Sequence, residues 1–279
     1  MTREYATPFS LLHAVSILSH KSRLDKFWRA IHTVVRDGDV VADIGTGTGI
    51  LALMAARAGA SRVIAIDVSR ESIDYAKRAS AANGYEDVIE FKHCHFSEFE
   101  PDARADVVLC EMLSSMMLIE QQVPASHHAV QKILKPQGTM LPRSVQVYAI
   151  PVSASGLYER FTFHGLEFVR VPQTSDRNDI VELANLQTLA YFDLTERREP
   201  KSVDTTLEFQ IVDDGTAHGL AGAFEASLVD GVTLTMDDGW RDLVLPFTRS
   251  VKVATGDTLK VRVRFVPGIF DSLRLEVLT

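Results

Sequence analysis

The chain has 279 residues, 46% of them hydrophobic, and a net charge of −8 from 29 Lys and Arg against 37 Asp and Glu. That length supports one large or two ordinary domains. The acidic balance, with no run of Lys or Arg to track phosphates, argues against a nucleic-acid partner and weakly favours a cationic ligand.

Periodicity predicts, in chain order, a strand at 40–44, a helix at 50–58, a strand at 63–66, a helix at 70–83, and strands at 89–92 and 106–110. A helix follows at 121–134, closed by the turn chemistry of Lys135-Pro136-Gln137-Gly138. Strand–helix alternation implies an α/β unit over residues 1–142, a parallel sheet with helices on both faces. Past Leu141-Pro142 the pattern changes to short strands, at 144–150, 169–171, 206–212, 223–228, 243–247, 252–254 and 258–266. Helical spacing recurs there only over 179–189. A mostly antiparallel β domain, a barrel or sandwich, is expected over 143–279.

The segment Asp43-Ile44-Gly45-Thr46-Gly47-Thr48-Gly49 joins the first strand to the first helix of this alternation. Glycines there permit positive φ and let a ligand lie against bare backbone. A second apolar run, Val63-Ile64-Ala65-Ile66, ends in Asp67, placed to accept both hydroxyls of a ribose. A dinucleotide fingerprint requires G-x-G-x-x-G; here glycine recurs at every second position, and Asp43 would repel a pyrophosphate. A nucleoside with a cationic end fits better, and S-adenosylmethionine carries an ammonium and a sulfonium. The plainer reading is a loop that only turns the chain.

Other signals are exclusions. His93-Cys94-His95 alternates strand faces, so no metal site is expected. No apolar run reaches membrane-span length, and Met1-Thr2-Arg3-Glu4-Tyr5 lacks a secretory pattern. With Cys94 and Cys110 suiting a reduced compartment, a cytoplasmic protein free of membrane is expected.

From Val40 onward the chain resembles the protein arginine methyltransferases. The resemblance rests on Asp43 to Leu51, Ala58-Gly59-Ala60, Val63 to Asp67, Leu134-Lys135-Pro136 and Leu141-Pro142. In the β domain it rests on Ala217-His218-Gly219-Leu220-Ala221-Gly222-Ala223-Phe224 and Thr255-Gly256-Asp257. It implies a Rossmann-like domain followed by a β-barrel with a short helical arm near 157–189, a homodimer, and S-adenosylmethionine as cofactor. It further implies cofactor contacts at Arg23, Asp43, Gly45, Thr46, Gly47, Gly49, Asp67, Val68, His95, Phe96 and Glu111. Some positions depart from the family: Met112-Leu113-Ser114-Ser115 replaces Trp-Met-Gly-Tyr, Asp238-Gly239-Trp240 replaces Thr-His-Trp, and Phe96 replaces an acid that receives the adenine amino group. An aromatic motif that closes over the cofactor is partial in Tyr5-Ala6-Thr7-Pro8-Phe9.

The run from Glu111 to Glu120 matches the family's pair of catalytic glutamates. The chemistry suits them: a guanidinium stays charged, and its planar N–H fork pairs with carboxylates. Two such acids would hold a protein or small-molecule guanidino group with one nitrogen toward the methyl donor. Glu111 follows four apolar residues at a strand end, a costly place for an idle carboxylate, whereas Glu120 also reads as a solvated helix residue. Met117, His218 and Trp240 are candidate substrate contacts, and each also reads as ordinary packing. The expected activity is N-methylation of a guanidino nitrogen. The alternatives are O- or C-methylation of a small molecule, with an acid as base, and a silent cofactor-binding partner.

Overall fold

The computed structural model describes residues 11–278, so the Tyr5–Phe9 motif and the rest of the first ten residues lie outside the described chain. Two helices come first, α1 (Leu11–Ser16) and α2 (Lys21–Val34). The α/β unit follows as β1 (Val40–Ile44), α3 (Ile50–Arg57), β2 (Arg62–Asp67), α4 (Arg70–Ala82), β3 (Ile89–His93), β4 (Ala105–Cys110), α5 (Gln122–His128) and β5 (Leu134–Leu141). The five strands form one parallel sheet in the order β3-β2-β1-β4-β5. Its central strands are buried on both faces, which their unbroken Val, Ile and Ala content requires.

Chain order reverses between β1 and β4, and there Ile44 pairs with Cys110. The residues that follow each strand, Gly45 and Glu111, therefore emerge side by side at the carboxyl edge, where open α/β sheets form ligand crevices. The expected helix over 121–134 is α5 continued by one π-helical turn, Ala129–Ile133. The helix does end just before Lys135-Pro136-Gln137-Gly138, at Ile133, but this tetrapeptide is not a free turn. It forms a bulge within β5, because Ala105 pairs with Leu134 and the ladder resumes only at Val107 with Thr139.

The second unit comprises β6 (Ser144–Ser153), α6 (Ser155–Glu159), β7 (Thr162–Phe163), β8 (Leu166–Glu167), β9 (Gln173–Ser175), β10 (Val181–Glu182) and β11 (Gln187–Asp193). It continues with β12 (Val203–Gln210), β13 (Gly215–Val229), β14 (Val232–Thr235), β15 (Asp242–Val253), β16 (Thr258–Val266) and β17 (Ile269–Leu278). A seven-stranded sheet centres on β6-β13-β15, a three-stranded sheet on β16, and every pairing is antiparallel. The arm segment is α6 plus the β7–β8 hairpin. Residues 169–171 are not a strand, and 179–189 are not a helix. Val181 and Glu182 pair with the end of β6, and residues 187–193 pair with its start. An open strand edge, which offers backbone bonds to any adjacent segment, overrides a marginal helical spacing. One hydrophobic core runs through both units, including Ile44, Leu109, Leu141 and Phe224.

Candidate active site

The glycine loop leaves β1 at the carboxyl edge. Gly47 has φ +53° and Gly49 φ +81°, and a Cβ on Gly49 would sit 2.9 Å from Ala76 of α4, so this helix approaches because no side chain intervenes. Asp67, at the end of β2, accepts from Gly47 N at 2.8 Å through Oδ2 and from Ser69 N at 2.7 Å through Oδ1. Burial pushes its carboxyl above the ordinary range, and the backbone donors partly oppose this. Asp43 is wholly buried and anchors the loop from beneath, accepting from Thr46 Oγ1 at 2.6 Å. Its Oδ1 has no hydrogen-bond partner, and burial pushes the carboxyl up to about 7.

A cavity of about 830 Å³ extends from this loop to the second unit. Gly45, Thr46, Gly47, Asp67, Val68, His95 and Phe96 line its α/β side, and Glu111, Glu120, Arg23 and Trp240 line it together, with Arg23 beside Glu111 and on the Trp240 ring. Asp43 and Gly49 support the loop without lining the cavity. The His95 ring lies against Phe96, with Nδ1 bonded to Ser97 Oγ and Nε2 to Gln121 Oε1.

The loop after β4 is held from both units. Met112 N donates to Gln122 Oε1 at 2.8 Å, and Gln122 is fully buried. Trp240 Nε1 donates to Leu113 O at 2.9 Å, and Ser115 Oγ donates to Arg241 O at 2.7 Å. Glu111 and Glu120 are thereby both brought to the cavity. Burial first, then the charge of Glu111, pushes the Glu120 carboxyl up to about 8, and Arg23 pulls it down. Arg23 is buried, with Nη1 3.7 Å from Glu111 Oε2 and its Cζ 3.3 Å from the centroid of the Trp240 ring.

Two expected substrate contacts fall elsewhere. Met117 is fully buried with φ +53°, off the cavity, because the loop turns it into the core. His218 accepts from Ala154 N at 3.1 Å and its ring lies tilted against Tyr158, 5.0 Å between centroids, again off the cavity. Three contributors were not anticipated. Gln122 pins the acid loop, and His20 lines the cavity with its ring where a Gly239 side chain would be. Asp238 accepts from Ser22 Oγ at 2.5 Å and Lys26 Nζ at 2.6 Å, fastening α2 to the barrel. A signal for α2 exists in the spacing of Arg23, Phe27, Ala30 and Ile31, which form its buried stripe. Among the described residues no cluster of three or more His, Cys, Asp or Glu could hold a metal, and no helix is long and apolar enough to cross a membrane.

A methyltransferase-domain family model matches residues 41–138. The chain is 32% identical over 170 residues to a probable protein arginine N-methyltransferase 6 of Arabidopsis thaliana, covering 60% of this chain and 38% of that relative. It is 26% identical over 268 residues to an arginine N(omega)-methyltransferase of Streptomyces achromogenes subsp. streptozoticus, covering 88% and 74%. In fold it is similar to a chain of the Trypanosoma brucei PRMT1 enzyme–prozyme heterotetrameric complex with AdoHcy, with a TM-score of 0.78 at 23% identity over 94% of this chain and 91% of that one.

Proposed function

We propose that this chain, a protein arginine methyltransferase-like protein in sequence and fold, transfers a methyl group from S-adenosylmethionine to a guanidino nitrogen. One observation carries the acceptor class: Glu111 and Glu120 line one cavity with Trp240, and a guanidinium, that of Arg23, already rests beside Glu111 and on the Trp240 ring. The residues present suit the cofactor. Its nucleoside would lie on the bare backbone of Gly45 to Gly47, with Asp67 accepting the ribose hydroxyls and His95 and Phe96 flanking the base. Arg23 is the cation available for the carboxylate, and the volume lies within the roughly 300–1,000 Å³ usual for small-molecule sites.

When bound, S-adenosylmethionine supplies a methyl group already activated by its sulfonium. The chain's task is then orientation. Glu111 and Glu120 would grip the planar N–H fork and fix the nitrogen that attacks, and one of the two carboxylates would accept the proton that nitrogen loses as the new N–C bond forms. Burial and the charge of Glu111 push the Glu120 carboxyl up to about 8, and a cation beside it pulls it down, so an entering guanidinium favours the carboxylate that grips it. A second reading, methylation of a neutral hydroxyl with Glu120 as base, draws on that same raised carboxyl.

The acceptor is a cationic guanidino group on a protein or small molecule, and the setting is the cytoplasm, where two free cysteines persist. The chain acts as a homodimer, burying the exposed Phe163, Leu166 and Phe168 of the arm. Incubation with labelled S-adenosylmethionine and a panel of free arginine, arginine peptides and cell extract tests the activity. Label on guanidino nitrogens is expected. Cofactor binding with no label transfer would indicate a silent partner instead.

A further inference from the structure

Arg23 is 4% exposed, yet among the described residues it holds no close bond to a carboxylate. Its Nη1 is 3.7 Å from Glu111 Oε2, beyond hydrogen-bond range, and its Nε reaches Asp238 O only at 3.4 Å. Its planar head lies on the Trp240 indole, and the charges of Glu111 and Asp238 offset its burial. This is the environment a bound guanidinium requires: an aromatic face and surrounding acids. Two guanidinium groups cannot share it, since like charges only a few ångströms apart repel strongly in a partly buried site.

Helix α2 does not depend on Arg23 for its position. Ser22 and Lys26 anchor it through Asp238, and Phe27, Ala30 and Ile31 pack in the core. The Arg23 side chain is therefore free to exchange partners without moving its helix. A ligand carboxylate that offers short, paired bonds would win it from a 3.7 Å contact.

We propose that Arg23 gates the acceptor site: its guanidinium holds the seat between Glu111 and Trp240 until the cofactor's carboxylate draws it away. Glu111, faced by Arg23 until then, becomes available to the acceptor. Acceptor binding thus follows cofactor binding, and each ligand tightens the other by the same factor. The gate rests on the guanidino acceptor proposed above.

Calorimetry with free L-arginine and a Gly-Arg-Gly peptide tests it, on the protein alone, with S-adenosylhomocysteine, and with methylthioadenosine, which lacks the carboxylate. S-adenosylhomocysteine is expected to tighten acceptor binding about tenfold or more, and methylthioadenosine to leave it unchanged. In Arg23→Met, acceptor affinity should be equally high with and without S-adenosylhomocysteine. In Trp28→Phe, where Trp240 is the remaining indole of the two, S-adenosylhomocysteine but not methylthioadenosine should change the emission. Equal acceptor affinity in all three wild-type states, or an equal effect of methylthioadenosine, overturns the gate and leaves the guanidino acceptor standing. Acceptor binding to no state of either protein overturns the guanidino acceptor itself. If Arg23→Met does not fold, the wild-type and Trp28→Phe arms decide.

Discussion

The amide of Gly47 donates to Oδ2 of Asp67 at 2.8 Å, tying the loop after β1 to the end of β2. Each carboxylate oxygen accepts more than one bond, so Asp67 can shape the loop and still receive ribose hydroxyls. The loop is shaped by the chain's own bonds, which limits the ordering cost of binding.

Asp67→Ala should therefore weaken S-adenosylhomocysteine binding by roughly 1–3 kcal/mol, through lost hydroxyl contacts and a loosened loop. Gly47→Val should do worse, since a branched side chain is strained at φ +53°. Calorimetry giving wild-type affinity for both variants would remove the cofactor assignment.

Glu111→Gln and Glu120→Gln should each preserve folding. Each should lower turnover steeply, because breaking a desolvated ion pair costs about 3–5 kcal/mol, several hundred-fold or more in rate. Glu111 should matter more, as it leaves the strand end beside the glycine loop. A large loss at one position alone selects the hydroxyl acceptor, and no loss at either excludes both acceptors.

Asp238→Ala should destabilise the fold by at least about 1.5–3 kcal/mol, since it strands Lys26 and removes the bond from Thr235 N at 2.8 Å. Urea denaturation measures this. An unchanged midpoint would mean that α2 is held by apolar packing alone.

The raised carboxyls predict a pH dependence. Glu120 at about 8 and Asp43 at about 7 keep protons in the folded state that the unfolded chain releases above about pH 4. The stability they contribute is fully present below that pH and is lost as pH rises through 7 to 8. The melting temperature of wild type relative to Glu120→Gln should fall across about pH 5–8. A difference that is constant with pH would contradict the buried, protonated state of Glu120.

Phe163→Asp with Leu166→Asp should convert a dimer to a monomer, because both side chains are more than half exposed on the β7–β8 hairpin. Light scattering of the unmodified protein showing a monomer at micromolar concentration would count against the dimer.

The sequence by itself determined what depends on near neighbours along the chain. The strand at 40–44, the loop from Gly45 to Gly49 and the strand end before Glu111 all follow from local periodicity and from glycine's tolerance of positive φ. Their meeting follows as well, since a parallel sheet collects its strand ends on one edge. Tertiary structure alone decided which side chains face the cavity. Arg23 and Trp240 are in contact although more than two hundred residues apart, because Asp238 fastens α2 to the barrel. Met117 turns inward with Met116 and Leu118 although Ser115 and Ile119 on either side line the cavity, and Val181–Glu182 and Gln187–Asp193 become strands because β6 offers them an edge. Local pattern records a residue's tendency to be buried, whereas the partner it is buried against is fixed only when distant segments compete for the same surface.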